Sequence, residues 1–397
     1  MIIRQLREDE KNKAMILSCT AFNYSYDAQA HKDDTLTSEA WGAFLDDDDT
    51  LTSIIYPNTF YSRYGNTYLP CLGIGGVATL PQYRRMGGIR AIFDKFFEMA
   101  PERGWALSLL YPFSYDYYRQ FGYERVLRRK YIDVDCDTIS HIPRNTNAVL
   151  YTDKDSQLPL LLDVYERFSE SLQLIFKRPA GDSYSSRYSD DPHKSQSYTY
   201  IWQDDSGKAQ AYAVCSIRDS KLVVKELCYT SAEALRGMIG FLRMYDGQVH
   251  GYRFEWEPEI TPLELLVGSY WDVKVELRSS AMGRVLLTET LLKNYDYPTF
   301  AGSFTLAVDD KLPCSRGTFR VTYGGGKSDV VKIADDPLPN ADLIAEMPAL
   351  SRLMLCSETL DVQTAPYQPG LTVNDPAGAQ AFFNAFRKRP LNLYTSF

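Results

Sequence analysis

Histidine is scarce in this 397-residue chain: four residues, widely separated, with no H-E-x-x-H or facial-triad pattern, so the sequence offers no signature of a metal enzyme. The seven cysteines (Cys19, Cys71, Cys136, Cys215, Cys228, Cys314 and Cys356) stand singly, with no C-x-x-C spacing to suggest zinc or dithiol redox chemistry, and read as reduced core residues. Long apolar runs are missing too. No stretch approaches the roughly 18 apolar residues of a spanning helix, and the opening MIIRQLREDEKNKA lacks the basic-then-apolar order of a signal sequence. The expectation is a cytoplasmic protein, neither secreted nor membrane-embedded. Positive charge is in deficit, with 43 Lys and Arg against 51 Asp and Glu, and the net charge of -8 opposes the phosphate backbone of a nucleic acid. It suits a cationic partner. A hydrophobic fraction of 45% with 24% charged residues excludes large-scale disorder, and the length suffices for two or three separately cored domains.

What is present is an alternation of helix and strand. Ala14, Leu17 and Ala21 fall at helical spacing; Leu51 to Tyr56 is an extended run, followed by turn residues at Gly65 and Asn66. Gly75 to Leu80 reads as a strand. Beyond Gly87-Gly88, the residues Ile89, Ile92, Phe93, Phe96 and Phe97 form the apolar stripe of an amphipathic helix, and Trp105 to Tyr111 is a strand buried on both faces. A second section echoes this order, with the strand Lys221 to Tyr229 leading into a helix over Ala234 to Leu242, but the turn between them is Thr230-Ser231-Ala232-Glu233, without arginine or glycine. After about Tyr295 the character changes: Phe304 to Val308 and Phe319 to Tyr323 alternate as half-buried strands, Gly324 to Lys327 is a hairpin turn, and helices are predicted over Asp342 to Leu355 and Asp375 to Arg387. The acidic run Asp46 to Asp49 reads as a solvated loop.

The informative stretch is Gly75 to Phe96. A strand delivers Val77, Ala78 and Thr79 to a sharp turn, Arg84-Arg85-Met86-Gly87-Gly88, which opens directly into a helix. Free amides at a helix start, joined by arginines and by glycines that let the backbone close on a ligand, make an anion site suited to a pyrophosphate; a surface turn that merely contains arginines is the alternative.

This turn resembles motif A of the GCN5-related N-acetyltransferases (GNATs), of the form R/Q-x-x-G-x-G/A, with Arg84, Gly87 and Ile89 in the key places; Ile89 departs from the usual small residue. Together with V-A-T-x-P-x-Y-R-R-x-G at Val77 to Gly87 and Y-x-x-F-G-Y at Tyr118 to Tyr123, the chain resembles the enhanced intracellular survival (Eis) family of acetyltransferases along essentially its whole length. The resemblance implies a mixed α/β fold: a catalytic acetyltransferase domain (1–147), a degenerate second copy (148–288) and a sterol-carrier-protein-like α+β domain (289–397). It implies acetyl-CoA as co-substrate, contacted by Val77, Ala78 and Thr79, by Arg84, Arg85, Met86, Gly87, Gly88, Ile89 and Arg90, and by Phe113 and Ser114. It assigns Tyr118 as general acid and the terminal carboxylate of Phe397 as general base. It further implies acceptors that are small cationic amines, aminoglycoside-like, or lysine side chains, and a homo-oligomer, a hexamer.

The residues speak to these roles. A departing thiolate needs a proton or a hydrogen bond, which a tyrosine hydroxyl can give, and an attacking amine must lose a proton. An α-carboxylate is a weak base for that purpose unless desolvation raises its pKa, and relay by water is the alternative. Phe22, Tyr24, Tyr26 and Trp41, with Asp27, Asp33 and Asp34, offer aromatic faces and charge to a polyamine, or else are helix surface and core. The apolar tail Leu391 to Phe397, after Pro390, is expected to pack into a groove between domains.

Overall fold

After the short strand β1 (Ile2–Gln5), helix α1 (Lys11–Phe22) runs until Asn23 takes a left-handed conformation (φ 54°) and ends it. Strands β2 (Trp41–Phe44), β3 (Leu51–Tyr64) and β4 (Thr67–Thr79) then form an antiparallel run, with Gly65-Asn66 as the turn of the long hairpin. β3 continues through Pro57, well past the expected end at Tyr56. That is tolerable because β2 pairs only with Leu51 to Ile55, so the missing N–H of Pro57 deprives no neighbour on that side. Helix α2 (Gly88–Arg103) carries the chain over to β5 (Leu107–Leu110), which returns parallel to β4. The apolar stripe is wholly buried: Ile89, Ile92, Phe93, Phe96 and Phe97 join Leu72, Ile74 and Leu110 in one core. Gly104, at φ 66°, caps the helix. A short helix α3 (Tyr115–Arg119) and strand β6 (Glu124–Arg125) follow.

The next section repeats the arrangement. It comprises β7 (Arg128–Asp135), β8 (Ala148–Leu150), α4 (Lys154–Ser169), α5 (Pro192–Ser195), β9 (Tyr198–Gln203), β10 (Ala209–Arg218), β11 (Lys221–Tyr229), α6 (Ala232–Leu242), β12 (Gly251–Glu257) and β13 (Val273–Ser279). Here β9, β10 and β11 run antiparallel, and β11 and β12 are parallel partners joined by α6. Leu235, Met238, Ile239 and Leu242 of α6 cover one face of this sheet, while Leu161, Val164, Tyr165 and Phe168 of α4 cover the other.

The last section holds β14 (Met282–Val285), α7 (Thr288–Asn294), β15 (Gly302–Asp309), β16 (Gly317–Gly324), β17 (Lys327–Ala334), β18 (Leu343–Glu346), α8 (Met347–Leu355), β19 (Leu371–Val373) and α9 (Pro376–Ala385). The Gly324 to Lys327 segment is the expected hairpin turn, with Gly325 and Gly326 at φ 60° and 73°. The helix predicted from Asp342 begins only at Met347. Leu343 and Ala345 alternate with the half-buried Ile344 and the exposed Glu346 and pair with β15, and Pro348 sits in the first helical turn, where its missing N–H is harmless.

Among the described residues three sheets result, ordered β1-β2-β3-β4-β5-β14-β6, β13-β7-β12-β11-β10-β9-β8 and β17-β16-β15-β18-β19. They do not follow boundaries at 147 and 288: β7, before the first boundary, lies in the second sheet, and β14, before the second boundary, lies between β5 and β6 of the first. The computed structural model describes residues 1–26, 39–179, 188–257, 262–268, 271, 273–356, 360–387 and 390–395. These form two compact units, one of Met1–Val126 with the chain from Ala281 through α9, the other of Leu127–Ser280 with the tail.

Candidate active site

In the first unit β4 and β5 pair only from Cys71↔Leu107 to Ile74↔Leu110, yet β4 runs on to Thr79. Beyond Leu110 the chain turns through Pro112 into α3, so the two strands part and leave an open fork. A bulge near Tyr56 bends β4 at this point, and Gly76 permits it: the residue sits at φ 57°, and a Cβ there would lie 2.3 Å from the Tyr56 ring. The fork opens into a cavity of about 850 Å³. Val77, Ala78 and Thr79 line one wall with their strand edge.

One part of the cavity lining suits an anion. Tyr83, Arg84, Arg85, Gly87, Gly88, Ile89 and Arg90 form it, which places the start of α2 at the cavity. No side chain caps that helix; its N-cap is Gly87 (φ 85°), and the first helical bond runs from the Ala91 amide to the Gly87 carbonyl at 2.9 Å. The positive end of a 16-residue helix therefore faces the cavity. Arg85 is held at φ 67°, a left-handed conformation costing a non-glycine residue on the order of 1–2 kcal/mol. Gly88 must be glycine for packing, since a Cβ would lie 2.6 Å from Ser53 Oγ, whereas Gly87 has nothing within 4 Å and presents an open backbone surface. Although the chain is acidic, no carboxylate lines this cavity among the described residues. These features fit the pyrophosphate of a coenzyme A.

A second part of the lining is aromatic. Phe113 and Tyr117 line the cavity with their rings tilted to each other at 5.1 Å, and Gln120 and Phe121 complete the wall. The Arg90 guanidinium lies 4.9 Å from the Phe121 ring and donates to Gln120 Oε1, joining the first turn of α2 to the end of α3. Tyr118 is 2% exposed and sits behind this wall, its ring edge-on to Phe113 at 5.4 Å and to Tyr117 at 5.2 Å. Burial pushes its hydroxyl pKa well up, with the neighbouring Tyr117 adding to the shift. Tyr117 is also raised by burial, against the lowering charge of Arg90. Tyr123 is fully buried and shares a 2.6 Å hydrogen bond with Ser108.

Most residues singled out in the sequence thus meet at one cavity. Met86, half exposed, and Tyr118, buried behind the aromatic wall, do not line it, and Ser114 instead caps α3 by accepting the Tyr117 amide at 3.3 Å. Phe397 lies outside the described residues, as do Asp27, Asp33 and Asp34. Of the other residues considered for an acceptor wall, Phe22 lines the cavity with Ala21, at the end of α1. Sequence reading missed Tyr83, Gln120, Phe121 and Ser53; the first three lie within or beside the quoted motifs, but Ser53 arrives from a distant strand and carried no signal.

The second unit has a counterpart of opposite character. Ser231 caps α6 by accepting the Ala234 amide at 3.1 Å, and the cavity beside it, about 360 Å³, is lined by Glu170, Asp204 and Glu233. Arg167, which also lines it, is engaged by Asp163 (2.7 Å), Gln210 (2.8 Å) and the Ala209 carbonyl (2.7 Å). A phosphate would meet carboxylates here.

Comparison with known proteins agrees with this division. Residues 2–126 match an acetyltransferase (GNAT) domain family and residues 178–285 match a second one, together more than half of the chain. No curated protein is similar to it in sequence. Among solved structures, a probable N-acyltransferase from Enterococcus faecalis V583 superimposes with a TM-score of 0.85 at 22% identity, covering 100% of this chain and 99% of that one. Eis1 from Mycobacterium abscessus gives 0.82 at 19%, and a GCN5-related N-acetyltransferase from Anabaena variabilis ATCC 29413 gives 0.84 at 17%, each covering 100% of both chains. Two GNAT domains, one with an open cationic cleft and one with an acidic, capped one, place the chain in the GNAT acetyltransferase family, with the fold of Eis1.

Proposed function

We propose that this chain is a cytoplasmic N-acetyltransferase that moves acetyl from acetyl-CoA to a primary amine of a small polycation, aminoglycoside-like in its spacing of amines. The observation that carries the reading is the forked cavity of the first unit, lined by an uncapped helix start with three arginines and by aromatic rings, with no lining carboxylate among the described residues. Acetyl-CoA, when bound, supplies the thioester carbon that the amine attacks. Arg84, Arg85 and the first amides of α2 hold the pyrophosphate, and the backbone edge of Val77 to Thr79 offers hydrogen-bond partners to the amide-bearing arm.

Tyr118 keeps its proton at neutral pH and donates toward the departing sulfur. By the family resemblance, the carboxylate of Phe397 takes up the proton of the amine. The negative overall charge favours a cationic acceptor. Thiol release from acetyl-CoA, followed with free aminoglycosides, polyamines and lysine peptides as acceptors, tests the assignment. The expected result is the highest kcat/KM for a small polyamine. Preference for peptides would make the chain a protein lysine acetyltransferase, and absence of amine-dependent release would return the sterol-carrier-like section to consideration as an apolar-ligand carrier.

A further inference from the structure

The Tyr118 hydroxyl has no hydrogen-bond partner among the described residues, so its position is set by ring contacts and by the backbone beneath it. That backbone is a tight turn. The Phe121 amide donates to the Tyr118 carbonyl at 3.0 Å and the Gly122 amide to the Arg119 carbonyl at 2.9 Å, with Gly122 at φ 83°. Phe121 lines the cavity and stacks on Phe93 of α2 at 4.5 Å. Tyr118 and part of the cavity wall therefore depend on one turn.

What holds the turn comes from much later in the chain. Arg284 of β14 lies on the same strand face as Met282, which joins the core under α2. The Arg284 guanidinium sits 4.4 Å from the Phe97 ring, donates through Nη1 to the Phe121 carbonyl and donates through Nη2 to Asp310 at 2.7 Å. Both charged side chains are buried, 4% and 7% exposed. A Cβ on Gly122 would run into Nη1, so the glycine is what lets the guanidinium reach the carbonyl. Asp310 in turn accepts from Ser315, whose carbonyl accepts from Thr288 at 2.8 Å, and Ser351 of α8 donates to the Gly122 carbonyl at 3.3 Å. Stability alone does not account for this arrangement. Desolvating a buried ion pair largely cancels its attraction, apolar residues of similar volume often serve as well, and Arg284 Nε is buried without a partner among the described residues. An apolar filling could not, however, fix the direction of a carbonyl. We propose that Arg284, held by Asp310, is a positioning residue that fixes the turn after α3 and so aims the Tyr118 hydroxyl at the departing sulfur. The inference rests on the reading of Tyr118 as the donor to that sulfur.

A double-mutant cycle separates aiming from mere support. Because removing Arg284 strands a buried carboxylate, all four proteins carry Asp310→Asn. In that background Arg284→Met should lower kcat by about 10- to 100-fold, as misplacing a reacting group does, with little change in the dissociation constant of acetyl-CoA. Combined with Tyr118→Phe, the same substitution should add at most about a twofold loss, because no hydroxyl is left to aim. Gly122→Ala, which pushes the guanidinium off the carbonyl from the other side, should give the same pattern and is read in place of Arg284→Met if that variant does not fold. Thermal unfolding of each protein sets a temperature at which all are folded. Full turnover after Arg284→Met, or a loss as large with Tyr118→Phe as without it, would overturn the inference while leaving the role of Tyr118 intact. Wild-type turnover in Tyr118→Phe alone would remove the donor, and the inference with it.

Discussion

Burial of Tyr118 bears on which proton it can move. Its hydroxyl pKa is raised above the ordinary value of about 10 by desolvation, so the neutral form persists through moderately alkaline solution. In the proposed role it would serve as a hydrogen-bond donor to developing negative charge rather than as a group poised to ionise. Tyr118→Phe should therefore lower kcat by about 10² to 10⁴ while leaving acetyl-CoA binding intact, as steady-state kinetics and calorimetry would show. Because the shift is upward, no descending limb of kcat below about pH 10 should belong to this residue. A limb there that vanished in the phenylalanine variant would contradict the assignment. Unchanged turnover would transfer the role to Tyr117, which lines the cavity, or to water.

At the scale of elements, the same strand-helix unit occurs twice with opposite electrostatics. α2 begins uncapped among arginines, and α6 begins under Ser231 and beside Glu233. One coenzyme A per chain is the expectation for calorimetry, and Arg84→Ala with Arg85→Ala should weaken that single site; two sites, or normal affinity in the variant, would refute it.

The second unit uses a different device to hold its elements. Arg178, buried, pairs with Glu226 of β11 at 2.6 Å, and the Tyr188 and Tyr212 hydroxyls lie 3.1 Å apart beside them. Removing one partner strands a charge in the core. Glu226→Leu alone should cost about 3–5 kcal/mol in denaturant unfolding, whereas Arg178→Met with Glu226→Leu should recover most of the loss. A mild single variant would show that the pair is dispensable.

At the scale of the whole molecule, the tail is tied down as far as Thr395. The Gln173 amide donates to the Pro390 carbonyl at 3.0 Å, Leu391 and Leu393 are buried, and the Tyr394 hydroxyl donates to the Leu227 carbonyl at 3.0 Å. Appending Gly-Ser-Gly after Phe397 leaves these anchors in place and removes the terminal charge from that residue. The extended enzyme should fold and bind acetyl-CoA yet lose amine acetylation. If it acetylated at the wild-type rate, Phe397 would not be the base.

Local pattern was enough to read α2, because a repeat near 3.6 residues leaves one way to bury five large apolar residues, and enough to read the Arg84 to Gly88 turn, because glycines and arginines before a helix start state their chemistry within a few residues. The capped, acidic counterpart at Thr230 to Glu233 was legible for the same reason. The sequence misplaced the start of α8, where β18 is selected by pairing with β15, a partner some 37 positions earlier in the chain. It also did not reveal that β7 and β14 each belong to a sheet other than the one their neighbours suggest, or that Ser53 closes against Gly88. Those outcomes depend on strand pairing and on contacts between distant residues, which short-range periodicity does not encode. The fork itself belongs with them: β4 and β5 are each readable as strands, but where their pairing stops is decided by the bulge near Tyr56 and by the turn at Pro112, and that stopping point is what makes the cavity.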